Sequence, residues 1–163
     1  MRYILLFIFV FCLNLVGFSM VHPLDSNYVK ARILKINIFS PIVDIFNVAF
    51  ETTTGPETSL QTGIFVGVGA FGFTPEFRYY LGEKPAPHGT YIAPFLRYQK
   101  YDFVGEKLGG GLIIGYQGYF KQKITIDAFI GPSYNTFIVD EELLNFGIRA
   151  GVTVGINLVR RKR

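Results

Sequence analysis

From Phe146 to Leu158 the chain reads FGIRAGVTVGINL. Every even position there is apolar: Phe146, Ile148, Ala150, Val152, Val154, Ile156 and Leu158. The odd positions, Gly147, Arg149, Gly151, Thr153, Gly155 and Asn157, are small or polar. Side chains alternate sides along a strand, so strict alternation of this length predicts a strand with two unlike faces. A strand tilted across a bilayer needs about 9–11 residues, and one facing hydrocarbon on one side and a polar interior on the other carries this pattern.

The division recurs upstream. Leu34, Ile36 and Ile38 oppose Lys35, Asn37 and Phe39 in a first strand that Ser40 and Pro41 end, since proline donates nothing to a ladder. Phe46, Val48 and Phe50 oppose Asn47, Ala49 and Glu51 in a second, and Thr54-Gly55-Pro56-Glu57 is a turn cluster. A third strand is expected from Ser59 to Phe71, with a reversal at Gly72, and a fourth sets Pro75, Phe77, Tyr79 and Leu81 against Glu76, Arg78 and Tyr80. Residues 82–88, GEKPAPH, form a proline-rich connection. Thr90 to Tyr101 is the fifth strand and Asp102 to Lys107 a turn. The sixth sets Leu112, Ile114 and Tyr116 against Gly111, Ile113, Gly115 and Gln117, and Lys121-Gln122 leads into the seventh. There Ile124, Ile126, Ala128 and Ile130 oppose Thr125, Asp127, Phe129 and Gly131. Residues 135–144 are the longest late loop. Eight amphipathic strands with short connections predict an all-β fold, an eight-stranded antiparallel up-and-down barrel spanning residues 33–159. An even strand count puts both ends of that span on one side, the periplasm for a secreted chain.

Composition sharpens the picture. Of 163 residues 50% are apolar and 17% charged, against roughly 25% charged in ordinary soluble domains. The net charge of +4 changes less. Residues 1–19 carry Arg2, an apolar run from Ile4 to Leu13, then small residues around Gly17 and Ser19, the layout of a cleavable signal peptide. Residues 20–32 form a connector and 160–163 a basic tail. The single cysteine, Cys12, lies in the leader, so the expected mature chain has no disulfide and no cysteine-based metal site.

Alternation does not say which face is inside; charge does. Lys35, Glu51, Glu76, Arg78, Arg97, Asp127 and Arg149 all share the face of the glycines, and the bulky faces carry none. A charge at the lipid-facing midplane costs about 2–4 kcal/mol. The expected arrangement is therefore a transmembrane barrel whose polar lumen, just wide enough for side chains to fill, is closed by an ion-pair network of these seven residues. Gly111, Gly115, Gly147 and Gly151 are expected to make room for the arginines. Aromatic residues fall near strand ends, Tyr79, Tyr80, Tyr91, Tyr119 and Phe120 at one rim and Phe71, Phe73, Tyr101, Phe103, Tyr134 and Phe137 at the other, as an interfacial belt would.

On strand pattern, leader and lumen charges, residues 33–159 resemble the small eight-stranded outer-membrane barrels of the OmpA/OmpX type. The resemblance implies an outer-membrane address, periplasmic termini, contact with outer-membrane lipid, a monomer, and a structural or envelope-interaction role with an unspecified envelope partner. The ending Val159-Arg160-Arg161-Lys162-Arg163 departs from the terminal aromatic usual there.

Chemistry finds few candidates. Only His22 and His88 exist, and His88 with Ser59 is the sole conceivable base and nucleophile pair. Asp140, Glu141 and Glu142 are adjacent and lack the spacing of a calcium loop. The glycine runs at 67–72 and 109–111 lack the Gly-Lys-Ser/Thr of a phosphate loop, and no basic, aromatic-bearing surface suggests nucleic acid. The expectation is no enzyme, no cofactor and no metal. Two alternatives stay open: a soluble lipocalin-like barrel holding an apolar ligand, which needs the bulky face inside, and a narrow passive pore.

Overall fold

The computed structural model describes residues 31–39, 45–103, 105–120, 123–137 and 145–159. The leader, most of the connector, Lys121-Gln122, the acidic run Asp140–Glu142 and the basic tail lie outside them. Eight strands follow in chain order: β1 (Arg32–Asn37), β2 (Ile45–Thr53), β3 (Thr58–Gly67), β4 (Ala70–Leu81), β5 (Gly89–Tyr101), β6 (Gly105–Phe120), β7 (Ile124–Phe137) and β8 (Asn145–Asn157). Each pairs antiparallel with its sequence neighbours. β1 also pairs with β8, from Ile33 opposite Asn157 to Asn37 opposite Thr153, so the sheet closes and no edge is left unpaired.

Three expected boundaries move. β3 ends at Gly67 and the chain reverses at Val68–Gly69, where Gly69 takes the left-handed φ of 63° that favours glycine. The expected reversal, Gly72, lies inside β4 opposite Phe65. The outward positions switch from even (Ile64, Val66) to odd (Phe71, Phe73) between these residues, and that change of parity is where a two-residue hairpin turn must fall. β6 begins at Gly105, which takes Lys107 out of the turn and onto the inner wall. β7 continues to Phe137, pairing Phe137 with Lys107 and Asn135 with Gly109, so the late loop is shorter than expected.

The polarity of an ordinary core is inverted. Lys35, Glu51, Glu76, Arg78 and Asp127 point inward and are at most 1% exposed, while outward residues such as Phe46, Ile126 and Ile130 are 63%, 50% and 54% exposed. Interior packing rests on rings set over glycines. Across neighbouring strands Phe65 faces Gly72, Phe95 faces Gly111, Tyr91 faces Gly115 and Phe129 faces Gly151. A Cβ on Gly115 would stand 2.5 Å from Tyr91 Cζ, on Gly151 2.7 Å from Phe129 Cζ, and on Gly111 2.9 Å from Phe95 Cε1. The glycines thus accommodate aromatic rings, not the arginines directly.

The two ends differ. At the end bearing the termini, the 82–88 connection folds inward and buries Ala86 and Pro87. The Ala86 N–H donates to the Pro56 carbonyl at 2.6 Å, and Gln117 Nε2 donates to the Pro87 carbonyl at 2.9 Å. Ala86 packs with Tyr80, Tyr91, Ala93, Phe95, Ile113 and Phe129 in an apolar cluster of the interior. At the opposite end the inward residues Arg97, Gln99, Lys107 and Asn135 are only half-buried and Gly147 is exposed.

Gly115→Val drives a branched side chain into Tyr91 and is expected to cost about 1–3 kcal/mol of unfolding free energy, as overpacking does. Val68→Thr, on a fully exposed turn residue, should stay within about 0.5 kcal/mol. Urea titration of the refolded protein followed by tyrosine fluorescence measures both.

Candidate functional site: the charged lumen

Each inward charge is placed by the parity of its strand, and closure of the sheet brings strands distant in sequence face to face. Arg78, on β4, is the hub. Its Nη1 lies 2.8 Å from Asp127 Oδ2 and 3.8 Å from Glu51 Oε2, its Nη2 is 3.0 Å from Glu76 Oε2, and its guanidinium rests on the Tyr91 ring at 4.3 Å. Lys35, on β1, reaches the same acids from the other side, 2.7 Å from Glu51 Oε2 and 3.0 Å from Asp127 Oδ2. Arg149, on β8, pairs through Nη2 with Glu76 Oε1 on the opposite wall.

Neutral donors complete the carboxylate shells. Ser59 Oγ and Tyr80 Oη donate to Glu51 Oε1 at 2.5 and 2.6 Å, Gln61 Nε2 to Glu76 Oε2 at 3.1 Å, and Tyr91 Oη to Asp127 Oδ1 at 2.7 Å. The Gln117 amide links the network to the sealed end, accepting from Lys35 Nζ at 2.5 Å and Arg78 Nη1 at 3.2 Å while donating to Pro87. Three cations and three anions therefore stand together without water-exposed surface, apart from the partly exposed Arg149. A buried ion pair is tolerable only when its remaining hydrogen-bonding groups are satisfied in this way.

Of the seven charges expected in the lumen, six form this network. Arg97 faces inward on β5 but joins no ion pair among the described residues; its guanidinium lies 5.4 Å from the Phe95 ring centre. Tyr80 and Tyr91, expected in the interfacial belt, are instead fully buried ligands of Glu51 and Asp127. Their parity, shared with Arg78 and Arg97, is the signal that marks them as inward. Tyr79, by contrast, does face out, with its hydroxyl on Glu57 Oε2 at 2.8 Å. Gln61 and Gln117 carry no sequence signature beyond that same parity, since an amide on a strand suits either face.

Residues 8–142, including seven of the eight strands, match the family described as a protein of unknown function, DUF3575. The chain belongs to the DUF3575 family. No curated protein and no solved structure matches it.

In this DUF3575 chain the candidate catalytic pair does not assemble. The Ser59 hydroxyl is committed to Glu51, and the His88 ring stacks on Tyr119 with centroids 6.1 Å apart; no hydrogen bond joins the two. Burial of His88 and its neighbour Lys84 together hold its pKa below the ordinary histidine value. Among the described residues no group of three or more His, Cys, Asp or Glu is arranged to hold a metal ion.

Arg78→Met is expected to destabilise the barrel by about 3–5 kcal/mol, because three carboxylates lose their shared cation while remaining buried. Lys100→Gln, which removes only the exposed 3.3 Å pair with Glu106, should cost under about 1 kcal/mol. The comparison is made by urea unfolding of the two variants under identical conditions.

Proposed function

We propose that this protein is an integral β-barrel of a bacterial outer membrane, its lumen shut by the ion-pair network, serving as a structural or envelope-interaction element without catalysis. The observation that carries the reading is the sorting of charge on the outer wall. The only charged residues facing outward from the strands are Arg32, Lys100 and Glu106, all at strand ends; between them every outward position is apolar, proline, glycine or an uncharged polar residue. Water-soluble monomers rarely expose continuous apolar surface beyond a few hundred Å², whereas hydrocarbon demands it. Strands β4 to β8, at 12–16 residues, exceed the roughly 9–11 that a tilted crossing needs.

A soluble barrel with an apolar ligand inside would need an apolar cavity where this chain carries paired charges and rings. A conducting pore would need a continuous water path past Arg78 and the buried Pro87.

On this reading the protein stays with the membrane pellet through high salt and alkaline carbonate, dissolves in detergent, and migrates differently on gels before and after boiling. Release by carbonate, or solubility without detergent, would support the soluble alternative. Reconstituted into planar bilayers it should be electrically silent; regular single-channel steps would replace the plug with the pore. A cysteine at Val152 should react with a lipid-phase maleimide and one at Thr153 should not.

A further inference from the structure

Charge is not balanced evenly along the lumen. Within the network, Lys35, Arg78 and Arg149 cancel Glu51, Glu76 and Asp127. Toward the mouth opposite the termini two more inward cations, Arg97 and Lys107, stand without an acid at ion-pair distance among the described residues. They are held by aromatic faces instead. Lys107 Nζ is 4.4 Å from the Phe137 ring centre and 5.5 Å from that of Tyr101, and Arg97 shares the Phe95 ring with Arg149, whose guanidinium is 4.4 Å from it. Such faces attract a cation by about 0.5–2 kcal/mol but cancel none of its charge.

Arg149 adds an unused donor. Its Nη2 is bound to Glu76, and its Nη1 is buried with no hydrogen-bond partner. Leaving a charged donor unmet in a low-dielectric interior is costly. The described acids of the rim point elsewhere: Asp102 packs against the Gly69 turn, and Glu106 is paired with Lys100 on the outer wall. Among the described residues there is room beside these groups: inward-facing Gly147 is exposed, with Ser133 Oγ the one described atom near its missing side chain, and Arg97, Lys107 and Asn135 are half-buried.

We infer that the mouth of the lumen opposite the termini is an oxyanion site that takes a phosphate group between Arg97, Lys107 and the free arm of Arg149. Guanidinium forks match the paired oxygens of phosphate, and an ammonium serves as a point charge beside them. The two cations, unpaired among the described residues, match the double charge of a phosphate monoester better than the single charge of a carboxylate. The group could be offered by a soluble phosphate ester or by the headgroup of an anionic lipid at the rim; the chemistry recognised is the same.

The test uses the full chain folded in an uncharged detergent at low ionic strength and about pH 8, titrated calorimetrically with inorganic phosphate. Saturable binding is expected, weakened about tenfold or more in Arg97→Gln and in Lys107→Gln, the loss of one charge-assisted hydrogen bond. Lys100→Gln, a charge on the outer wall at the same end, should bind as the parent does. If Arg97→Gln fails to show the gel shift of the folded barrel, Lys107→Gln at the open rim decides. Repeating the titration in micelles doped with phosphatidylglycerol separates the sources: competition identifies a lipid headgroup, and undiminished phosphate binding a soluble ester. No binding to the folded parent, parent-like binding in both lumen variants, or an equal loss in Lys100→Gln would overturn the inference.

Discussion

Everything inside this barrel answers to one guanidinium. Arg78 is wholly buried, and an isolated charge there would be prohibitively expensive. It is tolerated because Asp127 and Glu76 lie within 3.0 Å, Tyr91 supplies a ring face, and Gln117 supplies a carbonyl. Those partners impose their own demands. Two of the acids need Lys35, Asp127 needs the Tyr91 hydroxyl, and the Tyr91 ring needs a residue without a side chain beside it, which is Gly115. The chain of requirements runs from charge to ring to glycine, and each link sits on a different strand.

Much of this was legible in the residue pattern, because alternation is local and a closed sheet keeps it. Eight strands, their up-and-down order and the set of residues sharing a face with glycine all follow from parity. What parity could not say is which inward residues touch. The glycines at 111, 115 and 151 lie under Phe95, Tyr91 and Phe129 and not beneath an arginine; a pairing of that kind depends on strand register, which no single strand encodes. Tyr80 and Tyr91 differ for another reason: tyrosine suits both a wet rim and a buried polar lumen, and a place near a strand end points to the rim where parity points inward. Lys107 sits in a stretch, Asp102 to Lys107, whose composition suggests a turn, yet it lies in step with Gly109 and Gly111 along β6.

The closure of the lumen at the end bearing the termini follows from the length and content of one connection. The 82–88 loop is long enough to turn inward and apolar enough, through Ala86 and Pro87, to sit against Tyr80 and Ile113. The Val68–Gly69 turn, two residues long, lies at the opposite end, where Arg97 and Lys107 have no acid at ion-pair distance among the described residues.

A cylinder held only by hydrogen bonds between adjacent strands can be squeezed into an ellipse, since each neighbour-to-neighbour hinge yields a little. The Glu76 to Arg149 pair connects β4 with β8, halfway around the circumference, and Arg78 to Asp127 connects β4 with β7. These are spokes. They resist ovalisation across a diameter that the ladder alone leaves soft, so the molecule presents a stiff round outline, and whatever packs against its flank must deform in its place.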